Sequence, residues 1–201
     1  MPIQKEPLDT SRLEAFSDGV MAIIITITVF EIKVPQGDAL SALAPLLPIF
    51  LTYVLSFQVI GTYWNNHHHL FRATREVSTG IMWANLHLLF WLSLFPFVAG
   101  WMGQNHFAAV PTALYGAVLL MAGVAYWILV RSILCIENPD SLLARAIGKD
   151  FKGVVSVVIY APAIPLAFVR PWIAQALYVA VALMWLVPDR RIERAMAEYE
   201  D

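Results

Sequence analysis

Long apolar stretches alternate with short polar ones along almost the whole chain. Crossing the hydrocarbon core of a bilayer takes about 20 mostly apolar residues at about 1.5 Å of helical rise each. Six stretches approach that requirement: 13–33, 43–64, 79–101, 108–131, 153–169 and 171–187. The pattern predicts an all-α integral membrane protein, with six transmembrane helices in a single membrane domain over residues 1–201. Pro45 and Pro48 suit the start of the second helix better than its interior. Gly100–Asn105 reads as a tight connection between the third and fourth. Only Arg170 and Pro171 separate the last two stretches, which read as a hairpin. The first stretch runs from Ala22–Phe30 into Glu31, Lys33 and Pro35 without a small-residue cleavage site, so it reads as a retained helix.

Composition agrees with a lipid environment. Apolar residues make up 59% of the chain and charged residues 14%, where soluble domains carry about a quarter charged residues. A net charge of −2, with no basic stripe interleaved with aromatics, excludes a nucleic-acid surface. The lone Cys135 excludes an intrachain disulfide and a thiolate metal site.

The 13 Lys and Arg residues set the orientation. With the N-terminus inside, the cytoplasmic segments hold Lys5, Arg12, Arg72, Arg75, Arg131, Arg145, Lys149, Lys152, Arg190, Arg191 and Arg194. The outer segments hold only Lys33 and Arg170. This bias places both termini in the cytoplasm and requires an even number of spans. Trp83, Trp101, Trp127, Trp172 and Trp185 mostly fall near proposed span ends, as interfacial aromatics do. The expected location is the cell membrane, as a multi-pass protein, or the inner membrane in a Gram-negative source.

The first helix carries unusual chemistry. Its apolar core, Gly19–Phe30, is too short to span alone, so the span reaches back through Asp18. That puts a carboxylate about 8 Å inside the cytoplasmic end. An intramembrane carboxylate marks a functional site by default, although a buried Asp that only ties helices together is the competing reading. At about 100° per residue, Arg12, Phe16, Gly19, Ile23, Ile27 and Phe30 fall within about 40° of one line, with Thr26 beside it. Asp18 points about 140° away. Ordinary helix packing is one reading of this apolar stripe; a pore face is the other, and Asp18 then anchors the helix to its neighbours.

Partners for Asp18 lie at the same depth. The second helix ends in Tyr63, Trp64, Asn65, Asn66, His67, His68 and His69, and the third carries Asn85 and His87 about two turns in. A polar cluster of Arg12, Asp18, one or two histidines of the triplet, Asn85 and His87 is expected there. The triplet is no metal site by this reading: consecutive helical residues point about 100° apart, and no carboxylate follows at i+3 or i+4.

The run Arg12-Leu-Glu-Ala-Phe16-Ser17-Asp18-Gly19 resembles R-x-x-x-F-S-D-G, which marks the first helix of the transmembrane protein 175 family of potassium channels. Trp64-x-x-His67-His68 is similar to a second, weaker family pattern. The six-span layout resembles the short prokaryotic members over nearly the whole chain. The resemblance implies a homotetramer whose first helices line a central pore, because the long animal members carry two repeats and dimerise while this chain has one FSDG. It implies apolar rings at Ile23, Ile27 and Phe30, with Thr26 as a hydroxyl ring; Phe30 stands where smaller aliphatic residues are usual. Potassium is the expected permeant ion, and no cofactor is expected. The chain has no T-V-G-Y-G run, so apolar rings are expected to gate by dewetting, with selectivity set by dehydration in a narrow passage.

Two other classes compete. A proton-coupled or other secondary transporter could use Asp18 and the inner-leaflet histidines as proton relays, but no inverted repeat or paired broken helices accompany them. An intramembrane enzyme or assembly factor is the third class, and the spans hold no Ser/His, Asp/Asp or H-E-x-x-H arrangement for it. The expected partners are further copies of the chain, lipid and monovalent cations.

Overall fold

The computed structural model describes residues 10–74, 76–137 and 151–187. Its elements are helices: α1 Thr10–Phe30, a 3-10 helix at Leu40–Leu46, α2 Leu47–Arg72, α3 Thr79–Ser93, α4 Phe95–Gln104, α5 Ala109–Leu134, α6 Phe151–Val169 and α7 Pro171–Leu186. Among the described residues, five stretches are long and apolar enough to cross a membrane, with α3 and α4 counted together; α7 is a shorter apolar helix. The 21 residues of α1 extend over about 31 Å, matching a hydrocarbon core of about 30 Å. The basic residues Lys5, Arg75, Arg145, Lys149, Arg190, Arg191 and Arg194 lie outside the described residues.

Helix ends follow local chemistry. Relative to the expected 13–33, α1 begins earlier, at Thr10, and stops at Phe30 before the charged Glu31–Lys33 segment. Pro48 sits in the first turn of α2, where its missing N–H costs nothing. That helix continues past the expected 64 to Arg72, because the histidines find partners on neighbouring helices and His69 and Arg72 suit its negative C-terminal pole. Ser78 caps α3 by accepting from the Ile81 N–H at 3.3 Å. The expected single helix 79–101 breaks at Leu94. Pro96 cannot donate to the carbonyl of Leu92, so Leu94 bonds back to Trp91 and Val98 restarts the ladder on Leu94.

The expected connection at Gly100–Asn105 lies later, at Asn105–Ala108. His106 and Phe107 take positive φ of 47° and 61° there. Gly100 and Gly103 serve instead as contact points inside α4. A Cβ on Gly103 would fall 2.6 Å from the Ile49 Cα, so the missing side chain lets α4 lie directly on α2.

Helix α5 is the common support, packing against α3, α4, α6 and α7; α6 and α7 form the hairpin turned at Arg170. Tyr115 and Tyr178 fill the middle, both fully buried. Tyr178 donates to the Thr112 carbonyl at 3.3 Å, and Tyr115 meets the Ser56 hydroxyl at 3.2 Å. These bonds satisfy hydroxyls that would be costly to bury unpaired. Gly116 leaves space for the Tyr178 hydroxyl. Helix α1 packs on α2, α3 and α4 from one side only.

Candidate functional site

The first turns of α1 hold a hydrogen-bonded chain through three helices. Ser17 donates to the Leu13 carbonyl at 2.8 Å, which leaves its oxygen free to accept from Asn85 Nδ2 at 2.8 Å. Asn85 Oδ1 in turn accepts from His67 Nε2 at 2.8 Å, so this ring carries its proton on Nε2. Ser17, His67 and Asn85 are all fully buried. His67 stacks on Phe71 with ring centroids 4.4 Å apart. A polar chain at this depth locks α1, α2 and α3 in one register, because slippage would strand each group in an apolar medium.

A second tie lies nearer the start of α1. Glu14 Oε1 faces His68 Nδ1 at 2.7 Å, and Trp64 stacks over the same His68 ring. Asp18 stands one turn beyond Glu14 on this flank. Its Oδ1 is buried without a hydrogen-bond partner among the described residues, and the carboxylate is close enough to His67 to interact electrostatically.

The expected cluster is thus divided. Ser17, His67 and Asn85 come together directly, while His68 pairs with Glu14 and carries Trp64 stacked on its ring. His87 stays apart: it accepts from Trp91 Nε1 at 2.9 Å on its own helix. Arg12 is exposed and makes no ion pair among the described residues. Sequence reasoning missed Glu14, although a carboxylate one turn before Asp18 at the depth of His68 is a readable signal. It also passed over Glu31, which accepts from Gln104 Nε2 at 3.2 Å and ties the far end of α1 to α4.

The opposite face of α1 is uncovered. Ser17, Met21, Ile24 and Thr28 face inward, while Phe16 (52%), Ile23 (58%), Ile27 (46%) and Phe30 (80%) are open. Thr26 lies on the same side. Its hydroxyl donates to the Ile23 carbonyl at 2.9 Å, so the oxygen lone pairs remain available outward. A Cβ on Gly19 would meet nothing within 4 Å. Large apolar side chains, a hydroxyl and a bare glycine thus share one unpartnered strip.

The class follows from these features: an all-α, multi-pass membrane protein whose first helix is pinned by polar bonds on one side and bare on the other. Residues 12–96 match the family model described as endosomal/lysosomal potassium channel TMEM175. A protein of Chryseobacterium sp. named as a potassium channel is 52% identical over 187 residues, 93% of this chain and 97% of its own length. One from Streptomyces collinus, also named as a potassium channel, is 32% identical over 190 residues, 88% of this chain and 91% of its own. The crystal structure of a lysosomal potassium-selective channel TMEM175 homolog from Chamaesiphon minutus superposes with a TM-score of 0.79 at 28% identity, covering 89% of this chain and 96% of that one. The chain belongs to the TMEM175 family, which is a family of channels and not of enzymes.

Proposed function

We propose that this chain is one subunit of a homotetrameric potassium-permeable channel in the cell membrane, with both termini in the cytoplasm. Four α1 helices surround a central axis. Ile23, Ile27 and Phe30 form successive apolar rings, and Thr26 contributes a ring of hydroxyls. Water retreats from a sufficiently narrow apolar ring, so these rings close the path by dewetting, and a passing ion must shed part of its hydration shell. With no T-V-G-Y-G run, the preference for potassium rests on its lower dehydration cost. The observation that carries this reading is the uncovered strip on a helix whose other side is held to three neighbours. The membership in a channel family supports it.

Asp18 serves assembly in this reading, since it lies on the packed flank and away from the strip. The secondary-transporter alternative has less support: His67 is committed to Asn85 and His68 to Glu14, and the relatives are named as channels.

The test is ion flux through reconstituted protein. Ile23→Asn hydrates the ring at that level and is expected to raise open probability or conductance severalfold. If the purified, correctly assembled variant conducts like the unmodified protein, Ile23 does not form the constriction. Symmetric potassium flux without a proton gradient separates the channel from a coupled carrier.

A further inference from the structure

A cavity of about 370 Å³ opens among α2, α5, α6 and α7, away from α1. This lies within the volume range of small-ligand sites, about 300–1,000 Å³. Trp127 and Trp185 form two of its walls, with Gly123 and Val157 in the apolar interior. Thr62, Tyr63 and Asn66 contribute its polar positions on α2. Trp127, Val154 and Val158 line it and are also exposed on the outer surface, so the cavity opens sideways, toward lipid.

The end of the cavity is basic. Arg131 lies over the Trp127 ring at 5.5 Å from its centroid, and Lys152 over the Trp185 ring at 5.6 Å. Both walls thus carry a cation on an aromatic face, an arrangement that steadies a long basic side chain. Trp185 is fixed further by its N–H bond to Ser156 at 2.9 Å. Lys152 also donates to the Val187 carbonyl at the end of α7, and its other ammonium protons remain for an anion. An apolar slot open to the bilayer, with two cations at its head, matches a molecule with an acyl chain and a negative headgroup.

We propose that this cavity binds an anionic phospholipid: one acyl chain enters between Trp127, Val157 and Trp185, and Arg131 and Lys152 hold the phosphate. Basic pockets between transmembrane helices recognise lipid headgroups in this way. The lipid comes from the leaflet at which α5 and α7 end and α6 begins, which is the inner one if the proposed sidedness holds. The binding itself does not depend on that reading or on conduction.

The experiment is native mass spectrometry of the full-length, detergent-purified protein, titrated with phosphatidylglycerol or with phosphatidylcholine of identical chains. Phosphatidylglycerol should bind in preference, one per subunit. Arg131→Gln and Lys152→Gln, both at exposed or half-exposed positions outside the core, should each lower its affinity roughly fivefold and together abolish the preference. Gly123→Leu should fill the slot and reduce retention of both lipids, because a Cβ there has ordinary contact distances of 3.8 and 3.9 Å to Tyr63 and Val157. Equal retention of the two lipids by the unmodified protein would overturn the proposal. So would a preference that survives the double charge variant, or unchanged phosphatidylglycerol binding in an assembled Gly123→Leu protein. If Gly123→Leu fails to assemble, the double charge variant alone decides.

Discussion

Asn85 joins three helices through one amide group. Its Oδ1 and Nδ2 are both engaged, by His67 and Ser17, and leucine in its place would leave the buried His67 Nε2–H unmatched and Ser17 with its bond to the Leu13 carbonyl alone. Asn85→Leu is expected to destabilise the folded protein by about 1–3 kcal/mol, read as a lower Tm in detergent. Ser17→Ala should cost less, because it orphans only the Asn85 amide nitrogen and leaves the His67–Asn85 bond in place. Equal Tm values for Asn85→Leu and the unmodified protein would show that the chain of bonds is not structural. At this scale the sequence was informative about which residues matter and less so about their pairing. Ser17, His67 and Asn85 are conspicuous because polar groups are rare in apolar spans. Asp18 was expected to organise the cluster, yet Ser17 provides the direct bond. Periodicity assigns a residue to a face, and the rotation of the facing helix then selects the atom that meets it.

At the scale of elements, close approach depends on small residues. Gly103 lets the backbone of α2 come within contact of α4, since a Cβ would reach 2.6 Å from the Ile49 Cα. Gly103→Ala must push backbone against backbone and is expected to cost about 1–3 kcal/mol, measured by thermal unfolding. Gly100→Ala provides the control. The nearest atoms its Cβ would meet belong to the Glu31 side chain and not to backbone, so that side chain can turn aside and stability should fall less. Equal losses from the two alanines would show that the α2–α4 approach is not the tighter constraint. Hydropathy does not distinguish these glycines from turn residues, which is why Gly100–Asn105 looks like a connection in the sequence. In lipid, a glycine is as useful for helix contact as for a bend. Pro96 was the converse case: the apolar run passes through it unbroken, while the hydrogen-bond ladder does not.

At the scale of the molecule, a single thiol reports sidedness. Cys135 is the only cysteine in the chain and is exposed just after α5. It lies near the end that Arg131 occupies, so the proposed orientation places it in the cytoplasm. A membrane-impermeant maleimide should label it in inside-out vesicles and leave it unlabelled in intact cells. Labelling from outside would invert the topology. Contacts within the chain gather the basic end: Glu14 with His68, Asn66 with Tyr126, and Lys152 with Val187 all join helix ends on one side.

The membrane class, the approximate spans and the two faces of α1 were determined by the sequence alone. Each depends on one chain direction: length times rise, or residue number times angle. Only the tertiary structure decided that Asn85 meets Ser17, that Glu14 meets His68, that α4 rests on α2 through Gly103, and that a cavity lies beneath Arg131 and Lys152. Those outcomes depend on the rotation, height and separation of several helices at once, and a shift of one residue along any of them would bring a different set of atoms together.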